Sequence, residues 1–158
     1  NTTFSPAGPL TRGQVVAMLY RMAGSPAVTA NTTGFSDVDN GAYYADAVKW
    51  ASGKEIVGGY ADGTFAPNRA ITREQLAAIL YRYAKANGAD ISVGEDTNLL
   101  SYKDFQSVGQ YAVPALQWAV GSGLIGGTTN AMLSPKGTAT RAQAAVILVR
   151  FNGMPAAK

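Results

Sequence analysis

"ITREQLAAILYR", Ile71 to Arg82, decides how this chain folds. A Thr three residues ahead of a Gln, just before an apolar run, is a capping box that opens a helix. Arg73 then falls at the first helical position, with a side chain outside the core. A cation is least welcome there, because the positive end of the helix dipole and the free backbone N–H groups favour anions. Arg73 therefore calls for solvent or for a negatively charged partner.

The stretch occurs three times. "LTRGQVVAMLYRMAG" runs from Leu10, "ITREQLAAILYRYAK" from Ile71 and "ATRAQAAVILVRFNG" from Ala139. The likeness extends upstream: "NTTFSP" from Asn1, "DGTFAP" from Asp62 and "NAMLSP" from Asn130 each set a Pro five residues before the Thr. The later two copies also share a front half. "YYADAVKWASGKEIVGGYADGTF" from Tyr43 aligns without gaps on "YAVPALQWAVGSGLIGGTTNAML" from Tyr111, so Trp50 matches Trp118, and Gly58-Gly59 matches Gly126-Gly127. The first copy lacks that half, which leaves two and a half repeats joined by the polar connectors "SPAVTANTTG" and "NGADISVGEDTNLLS".

Ala47, Val48, Trp50 and Ala51, like Ala115, Leu116, Trp118 and Ala119, lie at helical spacing, and Pro114 falls in a first turn where it is tolerated. The Gly-Gly pair stops that helix, a loop follows, and the capping box opens the next. Leu10 with Val15, and Ile71 with Leu76, take the staple positions around the cap. Each unit is thus helix, loop, helix. Short helices gain most of their stability from packing, so Val15, Val16, Leu19 and Met22 should share a core with Leu76, Ala77, Leu80, Tyr83 and the third copy's equivalents. The expected class is all-α: tandem helix-loop-helix repeats in a pseudo-threefold bundle.

Composition narrows function. Nearly half of the 158 residues are hydrophobic (47%) and 15% are charged, a globular balance. Thirteen Lys and Arg against ten acids give +3 with no basic run, so nucleic acid is not an expected partner. With neither Cys nor His, the disulfide framework, the thiol metal site, the His-based nucleophile systems and the usual general base are all missing. No enzyme, cofactor or metal is expected. "DVDNG" from Asp37 starts like a calcium loop, but Val48 stands where a bidentate Glu is needed. There is no 18-residue apolar stretch for membrane insertion and no signal peptide, and the first residue is Asn, which reads as a mature or trimmed segment. Asn1-Thr2-Thr3 and Asn31-Thr32-Thr33 fit the glycosylation sequon.

"FSDV" at Phe35, "YYADAVKW", "GGYADGTFAP" and "ITREQ", in that order and spacing, resemble the S-layer homology domain, with which bacterial surface proteins attach to the cell wall. The resemblance covers two full copies and a half: residues 1-30 as the end of the first repeat with its connector, 31-90 as the second, 91-158 as the third, together one domain. It implies a spindle with three prongs, whose grooves bind anionic, pyruvylated secondary cell-wall polysaccharide, and an extracellular place on the bacterial surface or wall. Arg12, Arg73 and Arg141 would then meet the ketal carboxylate, an anion suited to both an Arg fork and a helix N-terminus. Gly58, Gly59, Gly126 and Gly127 would let a sugar approach the backbone, and Trp50 and Trp118 would offer it an apolar face. Asp37 and Asp104 lie near these grooves by analogy alone.

Plainer roles stand beside these. Thr11, Thr72 and Thr140 are caps whatever the ligand. The tryptophans suit core packing at least as well as stacking, and the glycine pairs suit helix C-caps. Arg21, Arg82 and Arg150 complement helix C-terminal dipoles. The missing front half carries the alternative function, a protein–protein interaction module. Unless the rest of the parent protein or a second chain supplies that helix, one prong is absent and apolar surface is left exposed.

Overall fold

The computed structural model describes residues 5–127 and 130–154. Five α-helices are present among them: α1 (Arg12–Met22), α2 (Ala45–Gly53), α3 (Arg73–Ala86), α4 (Val113–Gly121) and α5 (Arg141–Asn152). Extended pairing is limited to isolated bridges, so the described residues are helical with no named strand.

All three capping boxes form. Thr11 Oγ1 accepts from Gln14 N–H at 3.2 Å while Gln14 Oε1 accepts from Thr11 N–H at 2.9 Å. Thr72 with Gln75, and Thr140 with Gln143, repeat the exchange. Two orphan donors at each helix start are thereby satisfied, which fixes Arg12, Arg73 and Arg141 as first helical residues. The staple residues Leu10, Val15, Ile71, Leu76, Ala139 and Ala144 are buried.

The next backbone N–H groups are also taken, by carbonyls from far along the chain. Arg12 and Gly13 donate to Arg69 and Pro67, Arg73 and Glu74 to Gly137 and Pro135, and Arg141 and Ala142 to Gly8 and Pro6. Beside them Thr11 bridges Ala70, Thr72 bridges Thr138, and Thr140 bridges Pro9. Each back helix is therefore capped by the loop of the next copy, and the last by the loop of the first.

The chain divides into two compact units, Leu10–Ala70 and the rest, and the division cuts across the sequence repeats. In the Leu10–Ala70 unit α2 packs on α1, with the Tyr20 and Trp50 rings 5.6 Å apart. In the other unit α4 packs on α3, with Tyr81 and Trp118 at 5.7 Å. A front helix thus covers the back helix of the preceding copy. The second connector is no free linker: Leu99 is buried, and the Cα of Gly94 lies against Gly121 where neither residue could carry a side chain.

Two expectations need correction. Met22 is 38% exposed because α1 ends there and the chain turns away through Gly24 at φ +83°. The glycine pairs are not C-caps: the C-caps of α2 and α4 are Lys54 and Ser122, and the pairs follow after the Ile56-Val57 and Leu124-Ile125 steps.

Candidate functional site

Within the Leu10–Ala70 unit, Arg12 is 6% exposed. Its Nε donates to the carbonyl of Phe65 at 2.9 Å and its Nη2 to that of Gly58 at 3.2 Å. The guanidinium lies 4.7 Å from the Phe65 ring centre and 5.1 Å from that of Tyr60, within cation–π range. Behind it, the Asp37 carboxylate accepts from Phe65 N–H and Ala66 N–H, both at 2.8 Å. This clamp holds Ala66 at φ +56°, a conformation that costs a side-chain-bearing residue about 1–2 kcal/mol.

The second unit repeats the hydrogen bonds, with Leu133 in place of the Phe65 ring. Arg73, 8% exposed, donates Nε to Leu133 O and Nη2 to Gly126 O, each at 2.9 Å. Asp104 accepts from Leu133 N–H at 2.8 Å and Ser134 N–H at 2.7 Å, and Ser134 sits at φ +50°. Burial lowers the Arg73 pKa from its ordinary value while the nearby Asp104 charge opposes that shift. Arginine stays protonated in this setting, so the site keeps a fixed positive charge. Its Nη1 has no hydrogen-bond partner among the described residues.

The sequence expectation that these N1 arginines lie outside the core is thus corrected for Arg12 and Arg73. Carbonyl dipoles and a neighbouring Asp offset the charge at the helix start, and both guanidiniums are built into loop–helix joints. Arg141 differs: it is half-buried, and its side chain makes no hydrogen bond among the described residues. Phe4, which would match Phe65 and Leu133, and the Asn1–Thr3 sequon lie outside the described residues.

The glycine pairs divide their work. A Cβ on Gly58 or Gly126 would meet nothing within 4 Å, and these are the residues whose carbonyls hold the arginines. A Cβ on Gly59 would come within 2.4 Å of the Phe35 ring, and one on Gly127 within 2.7 Å of the Tyr102 ring. Close approach to a ligand is open at the first glycine of each pair. The second glycine makes room for the aromatic residue that opens its repeat.

Trp118 is 1% exposed and Trp50 7%. Both rings are spent on core contacts, Trp118 also against Phe151, so the expected stacking face toward a sugar is corrected to core packing. Asp37 and Asp104 pin the loops that hold the arginines, a link the sequence spacing did not disclose.

Glu74 went unremarked in the sequence. It is 2% exposed and accepts from Gly109 N–H at 3.0 Å and Tyr111 Oη at 3.1 Å, with Lys136 as its ion-pair partner. The matching residue of the first copy is Gly13, where an added Cβ would come within 3.1 Å of the Tyr44 ring. Tyr44 aligns with Ala112, which is fully buried. A Gly/Tyr pair in one unit is therefore replaced by Glu/Ala in the other. A single sequence shows the two substitutions but not that Gly13 faces Tyr44.

An open cleft of about 310 Å³ lies in the second unit, lined by Arg73, Ile125, Gly126, Gln143, Val146 and Arg150 among others. Its volume is at the small end of the range for small-molecule sites. Arg73 and Gly126, expected from the sequence, meet there. Gln143 and Arg150 were assigned only capping and dipole roles, and their spacing of two helical turns along one face of α5 was the available signal. Among the described residues no three acids gather to hold a metal, and no helix is long and apolar enough to cross a membrane.

A family model described as the S-layer homology domain matches residues 34–77 and 101–145. The chain is 36% identical to an endoglucanase of Bacillus sp. (strain KSM-635), an alignment that covers 93% of this chain and 15% of that protein. It is 32% identical to exoglucanase XynX of Acetivibrio thermocellus, over 94% of this chain and 13% of that one. A cellulosome-anchoring protein of Acetivibrio thermocellus is 27% identical over 93% of this chain and 33% of its own length. The chain spans a third or less of each of these relatives.

Proposed function

The chain belongs to the S-layer homology domain family, and on that premise we propose that it is a non-catalytic cell-wall anchoring module that binds anionic, pyruvylated secondary cell-wall polysaccharide at the bacterial cell surface. One observation carries the reading. In the open cleft, the fixed charge of Arg73 is held in place by the carbonyls of Gly126 and Leu133, with Nη1 left over beside a glycine that a sugar can approach. A ketal carboxylate is a suitable acceptor for that N–H, and a charge-assisted bond in a partly desolvated cleft is stronger than a neutral one. Arg12, bonded to the carbonyls of Phe65 and Gly58, supplies a second loop–helix joint with a buried guanidinium. Arg141 is a candidate for a third.

The relative named as a cellulosome-anchoring protein supports the anchoring role, and its length fits a module that tethers a larger cargo. The family resemblance supports the pseudo-threefold, three-pronged arrangement as part of the same proposal. Two or three weak sites on one chain would raise retention on a repeating polymer by effective concentration alone. A second reading, a helical interaction module, is favoured by the exposed apolar face of α5, where Val146 is 49% and Val149 73% exposed beside Ala142 and Ala145.

The test is calorimetric titration of the chain with purified wall polysaccharide before and after chemical removal of its ketals. Binding that disappears with the ketal is the expected result. Equal binding to both forms would keep a lectin but remove the carboxylate, and binding to neither would overturn the reading.

A further inference from the structure

The "DVDNG" stretch from Asp37, which lacks the Glu of a calcium loop, contains one of three Asn-Gly pairs in the chain: Asn40-Gly41, Asn87-Gly88 and Asn152-Gly153. An asparagine followed by glycine is able to react with its own backbone. The glycine nitrogen attacks the side-chain amide carbon, ammonia leaves, and a five-membered succinimide forms, with no Cβ on the glycine to obstruct the ring. The nitrogen must lose its proton to attack, so a base within hydrogen-bond reach of that N–H decides which pair reacts.

Two of the pairs lie at helix ends. Asn87 is the C-cap of α3, where Gly88 N–H donates to the Lys85 carbonyl at 3.0 Å and Asn87 Nδ2 donates to the Tyr83 carbonyl at 3.1 Å. Asn152 ends α5, and Gly153 N–H is shared between the carbonyls of Val149 and Arg150, at 3.1 and 3.2 Å. A carbonyl oxygen holds such a proton without taking it. Attack at either pair would first have to open the helix end.

Asn40-Gly41 differs in each respect. Both residues are exposed, in a turn closed by Ala42 N–H on the Asp39 carbonyl at 3.1 Å. The Asn40 side chain makes no hydrogen bond among the described residues, so its amide is free to swing toward Gly41. Gly41 N–H donates to Asp39 Oδ1 at 2.6 Å. That acceptor is a carboxylate, a base already in contact with the proton that has to leave. A Cβ on Gly41 would crowd the same oxygen at 3.2 Å, so glycine also lets the carboxylate approach.

We propose that Asn40 is a site of self-modification, converted to aspartate and isoaspartate with Asp39 as the base. Gly41 N bonds to Asn40 Cγ as its proton passes to Asp39 Oδ1. The Cγ–Nδ2 bond breaks, and the departing nitrogen takes that proton and leaves as ammonia. Water then opens one of the two imide carbonyls and a proton goes to solvent, so neither oxidant nor reductant is required. Opening at one carbonyl gives aspartate; at the other the main chain runs through the former side-chain carbon, which is isoaspartate. Either product lowers the net charge of +3 by one and adds a carboxylate to the open depression that Asn40 lines with Asp62 and Thr33. Isoaspartate also lengthens the main chain between Asp37, which pins Phe65 and Ala66, and the start of α2 at Ala45. None of this depends on what the Arg73 cleft binds.

The test holds the 158-residue chain in mildly alkaline buffer at physiological temperature and follows its proteolytic peptides by mass spectrometry, with fragmentation that separates aspartate from isoaspartate. Asn40 should convert first, and Asn87 and Asn152 should lag by about three- to tenfold, the factor for opening one backbone hydrogen bond. Asp39→Asn keeps an acceptor for Gly41 N–H but cannot take its proton. It should slow Asn40 by about 10- to 100-fold, up to the low end of what a positioned general base supplies. In strong denaturant the three sites should convert at similar rates. Asn87 and Asn152 report in the same sample whether the variant stays folded, and Asp39→Ser replaces it if they accelerate. Conversion at Asn40 no faster than at Asn87 and Asn152 overturns the proposal, and so does an Asn40 rate that loss of the Asp39 carboxylate leaves unchanged.

Discussion

Arg73 donates its Nε–H to the carbonyl of Leu133 at 2.9 Å, across 60 residues of sequence. Arg12 makes the same bond to Phe65, at the same distance, across 53. In both units the accepting residue is itself held by an aspartate, Asp104 or Asp37, so helix start, loop and front segment are fastened at one point. The arginine that the capping box places in an unfavourable position is thereby made structural.

Arg73→Ala removes two bonds from a charged donor and leaves the Gly126 and Leu133 carbonyls without it. Such bonds contribute about 1.5–3 kcal/mol, so a loss of roughly 2–4 kcal/mol is expected in urea unfolding. Arg73→Lys should recover only part of it, because an ammonium cannot fork to two carbonyls. Arg141→Ala should fall within about 0.5 kcal/mol of the parent. Equal costs at Arg73 and Arg141 would contradict the built-in role.

The glycine pairs predict a contrast between neighbours. Gly59→Ala and Gly127→Ala drive a methyl into the Phe35 and Tyr102 rings and should cost about 1–3 kcal/mol, the range for overpacking. Gly58→Ala and Gly126→Ala meet open space, so they should leave thermal stability nearly unchanged while weakening glycan binding. Loss of stability at the first glycine of a pair would show that its openness is misassigned.

Glu74→Ala removes the carboxylate that accepts from Gly109 N–H and the Tyr111 hydroxyl. Lys136 is exposed, so the ion pair itself adds little, and the weight lies on these two part-buried bonds. A cost of about 2–4 kcal/mol is expected, with Glu74→Gln closer to the parent because an amide oxygen still accepts. Denaturation of the two variants and of Lys136→Ala, expected to be near neutral, checks the division.

Asp62 and Asp90 titrate below the ordinary 3.8, through hydrogen bonds first from the side chains and then from the backbone of Thr64 and Ser92. A carboxyl whose pKa is lower in the folded state stabilises at pH above its unfolded value. That contribution is lost as the pH falls through the folded value. Between pH 5 and 8 these two groups should therefore leave stability flat. Carboxyl chemical shifts followed through acid should place both titrations below 3.8, and Thr64→Val should return Asp62 toward it. An unmoved Asp62 would exclude the hydroxyl as the cause.

Much of the fold was legible because its signals are local. Thr72 and Gln75 are three residues apart and satisfy each other wherever the helix lies, so the start of each back helix could be read from its own segment. Pro114 in the first turn of α4 is of the same kind. Family membership was legible for a related reason, since order and spacing of short motifs survive in the sequence. The candidate site was less so: Arg73 and Gly126 could be named, but Glu74, Gln143 and Arg150 could not be given their neighbours, because each meets residues that are remote in sequence.

The sequence by itself determined the capping boxes, the alternation of front and back helices and the repeat family, since each depends on interactions within one turn or on comparison of one copy with another. Tertiary structure alone decided that α2 covers α1 and α4 covers α3, that Trp50 and Trp118 belong to the core, and that Arg12 and Arg73 are buried at loop–helix joints while Val149 is exposed. The physical reason is that a side chain's burial is set by what packs against it. The covering element here comes from a neighbouring copy dozens of residues away, and no local pattern names it.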